Sequence, residues 1–331
     1  MKNKSLLLLI CITILIGTTW FAQTSFGMNS DKNKMTYESK PIPNYVKFFT
    51  NDDDKVIRAT ESGVYIYEIP SQKLIASALI DEQFVSLEVY PNEPSKALVS
   101  TFDGKVYRLN YDGQKLSYQI VEELSESPVG IIKDFLFKRN NNKIVVAADE
   151  RSLFWSVDGG RTWKAEKFKE LNIEENHRII TLTPIPRTNS EFLVCTSGMG
   201  RFKVNWLSHD MEYIADQTMP HGFTIRPGGL SYVAIGEGSD YLSIKDLRIL
   251  PLDIMLFDDD TLSYYIAGLG TSPLLVHRQG NRYDLNYLNS LLTLTYSIDV
   301  RRHEKTEIIL SSPTDCYYSN DGGQNWMNFS I

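Results

Sequence analysis

What this sequence has little of narrows its chemistry. Histidine is scarce, at 5 of 331 residues, and no pair has the His-x-x-x-His spacing that puts two zinc ligands on one helix face. There is no Gly-x-Ser-x-Gly nucleophile elbow and no Gly-rich phosphate loop opening a helix. Excess basic charge is also missing. The net charge is -7 and the pI about 5.4, which argues against nucleic acid or anionic lipid as partner, because both need clustered Lys and Arg. No apolar run reaches the roughly 20 residues of a membrane-spanning helix. Cysteine is limited to Cys11, Cys195 and Cys316. No metal and no cofactor is therefore expected.

The one distinct apolar run sits at the start. Lys2 and Lys4 precede Leu6–Ile16, and small and polar residues follow. This is the order of a secretory signal, expected to end after Gly27 (Ala22 is the alternative), so residues 1–27 are read as a leader that would act as an anchor only if left uncleaved. Its removal takes two lysines and no acid, moving the charge from -7 to about -9. It also leaves Cys195 and Cys316. Export would permit a disulfide, but the two fall in distant repeats, so both are expected as buried thiols. Residues 28–43, rich in Lys, Asn and Ser, read as a flexible lead-in, and 44–331 as one domain. The expected location is periplasmic or secreted.

Sustained helical periodicity is absent after residue 27. Short runs of Val, Ile, Tyr, Phe and Leu alternate with Gly, Asp, Asn and Ser turns, and they repeat. Seven segments share one layout, an apolar strand, a small or acidic turn and an aromatic-rich strand: 56–67, 97–109, 143–155, 191–204, 232–244, 264–276 and 307–318. Each is preceded by another apolar strand, at intervals of about 30 to 50 residues, the length of a propeller blade of four strands. The expected fold is an all-β propeller of seven blades of four antiparallel strands, a to d outward from the axis, with six as the alternative count. Radial stacking explains why strands b and c are apolar almost throughout: a blade between two neighbours buries both faces.

Two turns say more. Ser156-Val-Asp158-Gly-Gly160-Arg-Thr162-Trp163 fits Ser-x-Asp-x-Gly-x-Thr-Trp completely, and Ser319-Asn-Asp321-Gly-Gly323-Gln-Asn325-Trp326 fits with Asn325 for Thr. Asn110-Tyr-Asp112-Gly113 holds the same slot as a decayed copy. The pattern resembles the Asp-box (BNR-repeat) propellers, among them sialidases, sortilin-type receptor domains and the propeller assembly factors of photosystem II. The resemblance implies a structural role: the Asp accepts backbone N–H bonds of its own turn, the glycines allow positive φ, and the Trp packs between sheets.

A sialidase of that family would carry a Phe/Tyr-Arg-Ile-Pro motif, three arginines for the substrate carboxylate, a Tyr–Glu nucleophile pair and an Asp acid/base. Pro41-Ile-Pro43 lacks the Arg, and His177-Arg-Ile-Ile180 lacks the Pro. Arg178, Arg226 and Arg278 make a triad only by residue type. No catalytic residue is assigned. Asn51–Asp54 and Phe257–Asp260 read as solvated hairpin turns rather than calcium loops.

The layout puts a–b and c–d turns, with both Asp boxes, on one face, and b–c loops and d–a connections on the other. In such relatives the second face usually holds the site. Its candidates here are Glu61, Asp103, Asp149, Glu150, Arg151, Arg201, Glu237, Asp240, Thr271, Ser272 and Asp315 on b–c loops, with His177 and His221 on d–a connections. This mostly acidic rim suits a basic or polar protein patch. The expected function is a non-catalytic protein-binding module, an assembly factor or an inhibitor. The alternative is a carbohydrate-active protein, a glycosidase or lectin, with a glycan as ligand.

Overall fold

A computed structural model of the chain describes residues 44–49, 54–93, 95–125, 130–167, 179–185, 188–196, 200–214, 221–225, 231–235, 242–244, 250–257, 263–269, 272–279, 282–288, 292, 295–302 and 304–329. The leader and lead-in expected over 1–43 lie outside them. The described strands form successive antiparallel sheets, each built from consecutive strands. The first holds β1 (Tyr45–Phe48), β2 (Lys55–Thr60), β3 (Gly63–Glu68) and β4 (Lys73–Ala78). The second holds β5 (Phe84–Val89), β6 (Lys96–Thr101), β7 (Val106–Tyr111) and β8 (Leu116–Ile120). One helical turn, α1 (Glu122–Ser125), leads to the third: β9 (Asp134–Phe137), β10 (Val145–Ala148), β11 (Ser152–Ser156) and β12 (Lys164–Lys167). The fourth holds β13 (Ile179–Pro184), β14 (Glu191–Thr196), β15 (Gly200–Asn205) and β16 (Met211–Ile214). Three strands are described in the fifth, β17 (His221–Ile225), β18 (Ser231–Ile235) and β19 (Leu242–Ile244). The sixth holds β20 (Leu250–Phe257), β21 (Ser263–Leu269), β22 (Leu274–Gln279) and β23 (Arg282–Tyr287), and the last β24 (Ser297–Arg302), β25 (Thr306–Ser311), β26 (Cys316–Ser319) and β27 (Met327–Phe329). The fifth and sixth are described chiefly as backbone.

Burial follows the layered arrangement. All four residues of β10 are buried, whereas the outer β8 buries only Leu116 at its start. The period-two alternation of β10 feeds two different cores. Val145 and Ala147 pack with Leu98, Val106 and Ile132 toward the second sheet. Val146 and Ala148 pack with Leu182, Phe192 and Val194 toward the fourth. In β2, likewise, Ile57 and Ala59 face the second sheet and Val56 the last. A strand clamped on both faces is apolar at most positions.

Innermost strands of neighbouring sheets touch from β1 to β5, β9 and β13 and from β17 to β20 and β24, β17 meets β14 of the fourth sheet, and β1 touches β24, so the last sheet returns to the first. Among the described residues no strand of one end is lent to the other end's sheet. Apolar packing joins them: Val46, Phe48 and Val56 sit against Ile309, Cys316 and Tyr318. A row of buried hydrogen bonds runs beside it. Asp299 Oδ2 accepts the Phe48 N–H at 2.7 Å. The Ser297 hydroxyl receives the Val46 N–H at 3.2 Å and donates to the Val46 carbonyl at 2.9 Å. Asn44 Nδ2 donates to the Ser312 carbonyl at 2.8 Å, and the Ser311 hydroxyl donates to the Asn44 carbonyl. Arg58 stands where the alternation of β2 calls for an apolar residue. It is only 5% exposed, and it donates to Asn44 Oδ1 at 2.8 Å and to the Thr314 carbonyl at 3.0 Å.

Cys195 and Cys316 are both buried thiols in no disulfide among the described residues, as expected, and burial raises the Cys316 thiol to about 11. Replacing Asp299 with Ala leaves the Phe48 N–H unpaired in the seam. D299A is expected to lower stability by about 1–3 kcal/mol, read as a lower urea midpoint with an unchanged slope; an unchanged midpoint would show that this bond contributes nothing.

Candidate functional site

The two matched turns are hydrogen-bonded from within. In the first, Asp158 Oδ1 accepts the Arg161 and Thr162 N–H groups, each at 3.0 Å, and Oδ2 accepts the Thr162 hydroxyl at 2.7 Å. Ser156 Oγ donates to Asp158 Oδ1 at 2.8 Å and accepts the Gly160 N–H at 2.8 Å. The indole of Trp163 donates to the Gly160 carbonyl at 3.1 Å. Gly160 has φ +75°, and a Cβ there would come within 3.2 Å of the Trp163 ring, so both backbone angle and space require glycine. The second turn repeats this around Asp321, which accepts the Gln324 and Asn325 N–H groups and, at 2.7 Å, Asn325 Nδ2. The Asn amide therefore takes the place of the Thr hydroxyl. Gly323 closes the turn on the Ser319 hydroxyl, and Trp326 donates to the carbonyls of Gly323 and Leu288.

Two further turns do this job with other residues. Asp112 Oδ1 accepts the Gln114 and Lys115 N–H groups. Between β15 and β16, Asn205 Oδ1 accepts the Leu207 and Ser208 N–H groups. There His209 stacks on Trp155 of the third sheet, centroids 3.8 Å apart, and pairs with Glu166 at 2.7 Å. This turn matches no residue pattern, so sequence reading passed over it.

On the opposite rim most acidic candidates are already engaged. Asp149 is buried and caps its own turn through the Arg151 and Ser152 N–H groups. Glu150 pairs with Lys133. Asp103 pairs with Lys105 at 2.7 Å, and Lys105 also meets Glu82 at 2.8 Å. Asp315 accepts the Thr314 hydroxyl at 2.8 Å. Glu61 and Arg151 are exposed, without an ion pair among the described residues. Two candidates are not loop residues. Arg201 lies in β15 opposite Cys195, because that strand starts at Gly200. His221 opens β17 opposite Ile235, because backbone pairing extends the strand upstream of Phe223. Ser272 lies just before β22; His177, Glu237, Asp240 and Thr271 lie outside the described residues. No group of three or more His, Cys, Asp or Glu that could hold a metal occurs among the described residues, and none of their helices is long and apolar enough to cross a membrane.

Sequence reading missed two apolar residues on this rim. Ile80 is 53% and Phe102 43% exposed. The segment between β4 and β5 ties their turns together: Asp81 N–H donates to the Ser62 carbonyl at 3.1 Å, and Phe102 N–H to the Gln83 carbonyl at 2.9 Å. In the chain Ile80 directly precedes Asp81 and Glu82, Phe102 directly precedes Asp103, and Glu61 directly precedes the Ser62 to which Asp81 is bonded. Apolar residues in turns give no periodic signal, so only their placement reveals them.

Among solved structures, Sqt1 from Saccharomyces cerevisiae matches with a TM-score of 0.55 over 80% of this chain and 80% of that one, at 10% sequence identity. The fold is a β-propeller. No protein-family model matches the chain, and no curated protein matches it.

The propeller's matched turns make its stability acid-sensitive. Burial works against ionisation of Asp158, but the Thr162 and Ser156 hydroxyls and the Thr162 and Arg161 N–H groups outweigh it and hold the carboxyl at about 2. The backbone and side-chain amides of Asn325, then the Ser319 hydroxyl, hold Asp321 at about 2. Both sit below the ordinary 3.8, so their stabilisation is complete above about pH 4 and is lost as pH falls toward about 2. D158N/D321N should be less stable than the parent at neutral pH and lose less on acidification through that window. Urea midpoints taken across it check both, and parallel acid losses would refute the assignment.

Proposed function

We propose that the chain is an exported, seven-bladed propeller of the Asp-box kind that binds another protein without catalysis, as an assembly factor or inhibitor does. The observation that carries this reading is the exposed pair Ile80 and Phe102, set among carboxylates on the rim opposite the Ser-x-Asp-x-Gly turns. Large apolar side chains held on tied, rigid turns and ringed by charge are the composition of an interface centre with a polar rim. Glu61 and Asp81 favour a partner presenting apolar residues flanked by Lys or Arg. The return of the last sheet to the first supports seven blades, the two Asp-centred turns support the family, and the apolar run at Leu6–Ile16 supports export.

Crosslinking of the mature chain in a native envelope or periplasmic extract tests the reading. One protein should be enriched, and I80S/F102S should cut that enrichment at least tenfold while the fold is kept. No enriched protein, enrichment indifferent to the two substitutions, or glycan binding and glycosidase turnover in their place would overturn it.

A further inference from the structure

A second candidate site lies on the face that carries the matched turns. A cleft of about 310 Å³ opens between β7 and β8 of the second sheet and the Ser156–Trp163 turn of the third. Its charge is unbalanced. Lys96 is paired with Glu93. Asp158, also on the wall, is engaged by its own turn. That leaves the guanidinium groups of Arg108 and Arg161, neither of which meets a carboxylate in an ion pair among the described residues. Arg108 is held in place by Gln119 Oε1 at 2.5 Å. Two arginines facing one cleft are suited to a carboxylate, which their planar forks can bind through two oxygens.

The cleft borders an open edge. β8 ends its sheet and pairs only with β7 among the described residues. Its side chains alternate. Ser117 and Gln119 stand opposite Asn110 and Arg108, on the cleft side. Tyr118 and Ile120, 55% and 42% exposed, stand opposite Leu109 and Tyr107 and alternate to the other face of the strand, although Tyr118 and Leu109 also border the cleft. A strand added along β8 would send alternate side chains to these two environments.

We propose that this edge binds an extended peptide of alternating acidic and apolar residues, its carboxylates meeting Arg108 and Arg161 and its apolar side chains covering Tyr118 and Ile120. The site is independent of the Ile80–Phe102 rim and stands or falls apart from it.

Fluorescence anisotropy of the full mature chain with labelled Glu-Val-Glu-Val-Glu-Val tests the proposal. Saturable binding is expected, at least tenfold weaker for Gln-Val-Gln-Val-Gln-Val and for the block order Glu-Glu-Glu-Val-Val-Val. R108Q/R161Q, at one half-buried and one exposed position, should weaken the alternating peptide at least tenfold with an unchanged melting temperature. Because charge loss alone could mimic this, hydrogen exchange supplies a second readout: the amides of residues 117–120 should slow when the peptide is bound. No binding, equal binding of the neutral or block peptide, undiminished binding to R108Q/R161Q, or unchanged exchange in β8 would overturn the proposal.

Discussion

The structure depends on how the edges of its innermost strands are satisfied. Each such strand pairs with the second strand of its own sheet on one side and has a bare row of N–H and C=O groups on the other. At two junctions among the described residues the neighbouring sheet supplies partners. Asp134 of β9 accepts the Leu182 N–H of β13 at 2.8 Å and the Thr181 hydroxyl at 2.7 Å. Asp299 of β24 serves Phe48 of β1 in the same way. At these two junctions radial packing and polar satisfaction coincide: an inner carboxylate caps the next strand. The device matters most where the chain's first and last sheets meet, because among the described residues no shared strand covalently joins them.

That division of labour leaves the two faces free for other uses. On one face, Asp158 and Asp321 spend their hydrogen bonds on their own turns, and the arginines beside the first turn form no close ion pair with a carboxylate among the described residues. On the other, Asp103, Asp149, Glu150 and Asp315 are engaged locally, and the exposed apolar pair stands out against them. The residues with the most obvious chemistry are mostly structural, and the open surfaces belong to residues with little chemistry of their own.

The strands were legible in the sequence because burial on both faces forces continuous apolar runs such as 145–148, and outer strands break that pattern. The matched turns were legible because each role in them demands one side-chain type. Arg58 was hidden: its position in β2 calls for an apolar residue, and only its bonds to Asn44 and Thr314, about 250 residues away in the second case, explain a buried cation there. His209 was hidden because its role is a ring stacked on Trp155 of another sheet. The Arg108–Arg161 cleft was hidden because the two arginines belong to different sheets, and their approach is a property of the ring rather than of any segment.

The central claim is that the ring is closed by side chains reaching across from the last sheet to β1. Residue-resolved hydrogen exchange tests it at the amides of Val46 and Phe48, whose partners are Ser297 and Asp299. The account predicts that they are protected as strongly as amides inside β2 and β10. Exchange at the rate of a frayed terminal strand, with β2 still protected, would contradict it.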